Sequence, residues 1–141
     1  MIAYERAVRF EEIDAAGIVF FGHFFGWAHE AMESFFDAIA GGYAGIVVGR
    51  KVGFPVVNVE ASFQRPFRYG DRMRVEVTTA RLGNRSAVVR FRIKDQASGE
   101  LSATLEHTVV TTDLATLTSC PMPDDVRRVL EEHLEVGEAG G

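Results

Sequence analysis

Asp14 is the side chain whose type and setting best suit it to chemistry. It follows an apolar, strand-like segment; Gly17 comes three residues later, and an aromatic-rich helix opens just beyond Phe21. A carboxylate held in such a turn can attack a carbonyl carbon or take a proton from water. The adjoining helix start offers unpaired backbone N–H groups and a partial positive charge to any oxygen that gains negative charge. The backbone N–H of Phe21, with that of Gly22, is the candidate oxyanion donor. Gly17 lets the backbone turn sharply or approach a ligand closely. The position also suits a plain cap or turn residue, because Asp accepts hydrogen bonds from nearby backbone N–H groups. His23, beside the helix start, offers an imidazole that could polarise a carbonyl, or simply caps the helix or faces solvent.

These residues need elements to hold them. Tyr4 to Phe10 reads as a first strand. Gly22 to about Ala40 reads as a helix, since Phe24, Phe25, Ala28, Ala31, Met32, Phe35, Phe36 and Ile39 recur at helical spacing. The apolar arc is wide, so other elements must enclose the helix. Glu30 and Glu33 fall in its narrow polar stripe, and Gly41-Gly42 should end it. A glycine-rich loop runs to about Gly53, and four strands with period-two alternation follow. The first sets Val57, Val59, Ala61 and Phe63 against Asn58, Glu60, Ser62 and Gln64. The second and third carry Met73, Val75 and Val77, then Val89, Phe91 and Ile93, on one face. The fourth carries Leu101, Ala103, Leu105, His107 and Val109, and its parity makes His107 a buried, hydrogen-bonded core histidine. Turns fall at Tyr69-Gly-Asp71, Gly83-Asn84 and Ala97-Ser-Gly99, and a short helix begins near Pro123. One long helix against one antiparallel sheet is an α+β layer fold.

Composition narrows the function classes. The chain has 141 residues, 47% of them hydrophobic and 25% charged, which predicts one domain over residues 1–136 and a flexible tail over 137–141. Apolar runs end well short of the ~20 residues needed to span a bilayer, so no membrane partner is expected. No signal peptide is read at the start, and the lone Cys120 fits a reducing cytoplasm. A net charge of -5 argues against nucleic acid as a partner. Between Arg65 and Lys94, however, nine basic residues face only Asp71 and Glu76. A local basic face on an acidic chain suits a small polyphosphorylated ligand; most of these arginines equally suit the solvated faces of strands. The four histidines and one cysteine lack metal-ligand spacing. Neither a Gly-Lys phosphate loop nor a Gly-x-Ser-x-Gly elbow occurs.

The string Asp14-Ala-Ala-Gly17-Ile-Val-Phe-Phe21, followed by Phe24-Phe-Gly-Trp27, resembles the N-terminal signature of the 4-hydroxybenzoyl-CoA thioesterase family. The resemblance runs from Tyr4 to about Asp113 and takes in Gly53-Phe-Pro55-Val-Val, Ala61-Ser-Phe and Tyr69-Gly-Asp71. It implies a hotdog fold, an antiparallel sheet wrapped around one long central helix. It also implies acyl-CoA hydrolysis and dimers or tetramers with active sites at subunit interfaces. Asp14 would be the nucleophile or general base. No cofactor is implied, coenzyme A being part of the substrate.

The family commonly has Tyr where Phe21 stands; a backbone donor survives that change, a phenol role does not. His29 stands where 4-hydroxybenzoyl enzymes carry an acid in the acyl pocket, which counts against a 4-hydroxy substituent. The Gly83-Asn84 turn corresponds to one whose basic residues bind the nucleotide phosphates of coenzyme A, which nominates Arg85 with Ser86. Trp27 and the phenylalanines suit the core more often than a pocket, yet some must line the site if the acyl group is aromatic or apolar, and Trp27 is a candidate. A related hotdog branch uses a helix glutamate, the role open to Glu30 or Glu33. Two rivals share the fold: a dehydratase or hydratase of acyl thioesters, and a non-catalytic acyl-thioester binder.

Overall fold

In the computed structural model, which describes residues 1–136, five strands form one antiparallel sheet. They are β1 (Ile2–Ala7), β3 (Val56–Phe63), β4 (Arg72–Leu82), β5 (Ser86–Asp95) and β6 (Leu101–Val110), in spatial order β1-β4-β5-β6-β3. The long helix α1 (His23–Phe35) packs on β1, β4 and β6. This is the hotdog arrangement that the sequence implies. A smaller sheet joins β2 (Val52–Gly53), β7 (Thr112–Asp113) and β8 (Thr118–Ser119). The tail expected over residues 137–141 lies outside the described residues. Among the described residues no helix is long and apolar enough to cross a membrane.

Period-two alternation sets the core. Ile2, Val77, Phe91, Leu105 and Ala61 are opposite one another in register and form one row across the sheet. Val77, Phe91 and Leu105 are fully buried, as are Met73, Val75 and Ile93 on the same face. α1 covers them with Trp27, Ala28, Ala31 and Phe35. Burying side chains of this size is worth about 1.5–3 kcal/mol each relative to exposure, which makes the helix-to-sheet contact the main source of stability.

Three boundaries differ from the sequence expectation. β1 ends at Ala7, and Phe10–Glu12 forms a 3-10 turn instead. α1 ends at Phe35 rather than near Ala40. The chain there tightens to bonds three residues back, from the Phe36 N–H to Glu33 and the Asp37 N–H to Ser34, and the buried Phe36 ring stacks on Phe54, centroids 5.6 Å apart. Within the expected glycine-rich loop lie a short helix α2 (Gly42–Ala44) and a π-helical turn over Gly45–Gly49 that buries Ile46. The C-terminal helix α3 (Asp124–Glu132) starts beside Pro123 as expected.

Of the nine basic residues between Arg65 and Lys94, five are paired with carboxylates among the described residues. Arg74 pairs with Glu5 and Glu76, Lys94 with Glu76, and Arg65 with Asp95 and Glu100. Arg90 pairs with Glu106 and Glu135, and Arg92 with Glu135. Cross-strand register supplies several of these partners, as Glu5 opposite Arg74 and Arg90 opposite Glu106 show. The chain beyond α3 supplies Glu135: it bonds to both backbone groups of Thr79, which brings that carboxylate over the sheet. Local counting along the sequence could not see partners that arrive from other strands.

β3 is the exposed edge. Val59, Ala61 and Phe63 share the helix-facing side, yet all eight residues of β3 are exposed. α1 does not reach across to them, except where Phe21, Phe24 and Phe25 meet Phe63 at centroid distances of 6.0, 5.4 and 6.4 Å.

Candidate active site

Asp14 sits in a tight loop closed by an Ile13–Val19 bridge. Its N–H donates to the Ile18 carbonyl at 2.9 Å, and its own carbonyl accepts from Gly17 at 3.0 Å. Gly17 has φ +81°, a left-handed conformation that strains an L side chain, and a Cβ there would meet nothing within 4 Å. Gly17 therefore serves the turn rather than a close approach. The Asp14 Oδ1 accepts the Ala16 N–H at 2.8 Å. The turn role thus holds for one carboxylate oxygen and leaves Oδ2 available, on a half-buried residue.

The loop runs directly into α1. The Val19 N–H bonds to the Phe67 carbonyl, and the Phe20 N–H to the Glu12 carbonyl at 3.1 Å. The carbonyls of Phe20 and Phe21 accept from His23 and Phe24, so the helical turn begins there. The N–H groups of Phe21 and Gly22 donate to no backbone carbonyl among the described residues. They are the open donors of the helix start. A Cβ on Gly22 would sit 2.8 Å from the Phe20 ring, so a side chain there would displace that ring. Phe20 and Phe21 are about half exposed and lie against each other, with the His23 ring beside Phe20 at 6.2 Å. Together with Phe63 they give the helix start an aromatic rim.

Beneath the loop lies a charge cluster that the sequence reading did not single out. Glu12 is 5% exposed. Its carboxylate accepts from Trp27 Nε1 at 2.6 Å, from both terminal nitrogens of Arg6 at 3.0 and 2.7 Å, and from the Arg9 N–H at 2.8 Å. Arg6 also donates to Glu30, which accepts from the Tyr4 hydroxyl as well. Burial alone would raise the Glu12 pKa, but the donors from Arg6, Trp27 and Arg9 outweigh it and pull the value down to about 2. Glu30 is also held below the ordinary range, burial again opposing and Arg6 and Tyr4 prevailing. Arg6 is pushed up, chiefly by its bonds to Glu12.

The remaining sequence candidates scatter. Trp27 is fully buried between Phe24 and Phe67 with its N–H on Glu12, so it belongs to the core and not to an acyl-pocket lining. Glu30 is bound into the Arg6 cluster rather than free in a polar stripe. His29 is solvent-facing, 3.9 Å from an equally exposed Glu33 and edge-on to Tyr43. His107 is buried as expected, but its Nε2 has no hydrogen-bond partner. Burial, reinforced by nearby His29, pushes that imidazole down, which keeps it neutral.

Arg85 is exposed and donates to the Ser119 carbonyl at 2.8 Å; Ser86, half-buried, opens β5. Arg127 of α3 bonds to the carbonyls of Gly83 and Asn84 and holds that turn. The turn follows the end of β4, while the Asp14 loop bonds to Phe67, just before its start. At ~3.3 Å per residue, this strand separates the two by about 30 Å. One chain therefore does not bring Arg85 and Asp14 together.

The family model of the thioesterase-like superfamily matches residues 8–130. A 1,4-dihydroxy-2-naphthoyl-CoA hydrolase of Prochlorococcus marinus is 31% identical over 134 residues, covering 90% of this chain and 85% of that protein. The solved structure of a gentisyl-coenzyme A thioesterase superposes with a TM-score of 0.80 at 26% identity, covering 92% of this chain and 99% of the other. A thioesterase superfamily structure from Jannaschia sp. CCS1 gives a TM-score of 0.87 at 25% identity, covering 96% and 94%.

The charge cluster sets a pH dependence. Glu12 and Glu30 have native pKa values below their ordinary 4.5. Their contribution to stability is present above that value and is lost as pH falls through the native one, about 2 for Glu12. Urea unfolding measured from about pH 6 down to about pH 2 should show a falling midpoint, and Glu12→Gln should flatten that fall. An equal slope in the variant would contradict an ionised, paired Glu12.

Proposed function

The chain belongs to the thioesterase-like superfamily, and from that premise we propose that it hydrolyses acyl-CoA thioesters whose acyl group is aromatic, with Asp14 as the catalytic carboxylate. One observation carries the reading: a loop that leaves Asp14 Oδ2 available leads straight into a helix start whose Phe21 and Gly22 N–H groups are open. A thioester carbonyl oxygen held by those donors has its developing negative charge stabilised as the carbon becomes tetrahedral. Asp14 then either attacks that carbon, expelling the CoA thiolate and leaving a mixed anhydride for water to cleave, or deprotonates the attacking water. Both routes give the carboxylic acid and free coenzyme A, and neither calls for a further cofactor.

Two features support an aromatic acyl group. Phe20, Phe21 and Phe63 offer ring faces at the helix start, and aromatic surfaces pair well with an aryl group. The relatives named above carry naphthoyl-CoA and gentisyl-CoA in their names. The Asp14-Ala-Ala-Gly-Ile-Val string supports the branch of 4-hydroxybenzoyl-CoA thioesterases within the superfamily, with His29 set against a 4-hydroxybenzoyl substrate itself.

The active site is completed by a second copy of the chain. Ser86 is opposite Val110, and Val109 opposite Val56, so the Arg85 turn lies at the Val56 end of β3. The aromatic rim touches Phe63 at the other end. Two β3 edges paired antiparallel about a two-fold axis would set the Val56 end of one copy beside the Phe63 end of the other. The second copy's Arg85 turn would then approach the Asp14 loop, and pairing would cover an edge left wholly exposed.

Asp14→Asn should lower kcat for an aroyl-CoA at least ~100-fold in a folded protein, because the amide keeps the Ala16 bond but neither attacks nor accepts the proton. Near-full turnover would remove Asp14 from the chemistry. Light scattering at micromolar concentration should give a dimer or tetramer, and a monomer would contradict the shared site. Arg85→Ala should raise KM for an acyl-CoA more than it lowers kcat, and spare a pantetheine thioester that lacks the nucleotide. Equal loss on both substrates would take Arg85 out of coenzyme A binding.

A further inference from the structure

We propose that Glu12 is a positioning residue for hydrolysis: it fixes the Asp14 loop and the Phe21 and Gly22 N–H donors relative to one another by anchoring both to Trp27 of α1 and Arg6 of β1. The inference rests on the hydrolase reading above. Four bonds converge on the Glu12 carboxylate, from the strand, the helix and the turn before the loop. A fifth leaves its backbone: the Glu12 carbonyl accepts the Phe20 N–H, one peptide before the first oxyanion donor. Glu12 also lies only two residues before Asp14, at the end of the turn that leads into the loop. The acid and the donors are therefore tied to one buried residue from both sides.

The arrangement is stiff because the alternatives are costly. A carboxylate this deep cannot give up Arg6 without leaving a buried charge uncompensated. Its partners have little freedom either. Arg6 is shared between Glu12 and Glu30 with its side chain 13% exposed, and Trp27 is wedged between Phe24 and Phe67. Positioning of this kind matters to rate because a displacement of about 1 Å between reacting groups can cost ~100-fold.

Glu12→Gln tests the role. The amide keeps an acceptor for Trp27 but loses the charge that holds Arg6. Trp27 is the chain's sole tryptophan, so its emission reports the contact directly. With the fold intact by circular dichroism, the emission should change. kcat for an aroyl-CoA should fall at least ~10-fold while KM stays within ~3-fold, the signature of a loss felt at the transition state. Trp27→Phe, which removes the N–H donor and keeps an aromatic ring in place, should lower kcat ~3-fold or more at unchanged KM. It decides the matter if Glu12→Gln does not fold.

Wild-type kcat in the folded Glu12→Gln protein, or a raised KM at wild-type kcat, would reduce Glu12 to a stabilising residue and overturn the proposal. Asp14→Asn measured alongside separates the two claims. If that variant turns over normally, the hydrolase reading of Asp14 has failed. If it is inactive while Glu12→Gln and Trp27→Phe keep wild-type kcat, only the positioning role has failed.

Discussion

A carboxylate removed from water must be met by donors on every side, and the site end of this fold is organised around that requirement at Glu12. Desolvation opposes its charge, and Arg6, Trp27 and the Arg9 N–H together outweigh it. Because those donors come from the first strand, the long helix and the turn between them, meeting the requirement also fixes where the chain enters the helix. The Asp14 loop and the open N–H groups at the helix start inherit that geometry. Trp27 has a double part. Its ring fills the core between Phe24 and Phe67, and its N–H is one of the bonds that make the buried charge tolerable.

The sheet divides its duties by face. Toward the helix, the row from Ile2 through Val77, Phe91 and Leu105 is apolar and closely covered. On the opposite face, arginines from β4 and β5 lie among glutamates from β1, β4, β6 and the segment after α3. Such partly exposed pairs add little stability individually. Their larger effect is to offset much of the positive charge that β4 and β5 carry on that face. β3, by contrast, is exposed along its whole length, and an exposed edge strand leaves backbone groups open to pairing.

Much of this was legible in the residues. Period-two alternation placed Met73, Val75 and Val77 of β4 and Val89, Phe91 and Ile93 of β5 in the core, where the structure has them. Helical spacing likewise placed the buried face of α1. Asp14 and Gly17 were legible because turn chemistry is local: the Asx-type bond to Ala16 and the left-handed glycine depend on neighbours within three residues. Glu12 was not legible, because its partners lie 6 and 15 residues away and meet it only in the folded chain. The same cause hid the Glu135 pairing to Arg90 and Arg92 and made a compensated face read as basic. Parity put Val59, Ala61 and Phe63 on the helix-facing side, but parity cannot say whether the helix extends far enough to cover them. Trp27 stayed open between core and pocket because an aromatic residue looks alike from sequence whether it lines a site or fills a core.

The most direct measurement is thiol release by the native protein from a panel of aroyl-CoA and medium-chain acyl-CoA thioesters, followed with a thiol reagent. An aromatic acyl-CoA hydrolase should liberate one free coenzyme A per acid formed, with aroyl substrates preferred over straight-chain ones by kcat/KM. Binding without thiol release, or consumption of an unsaturated acyl-CoA with its thioester intact, would contradict hydrolysis and point to a binder or a hydratase on the same fold.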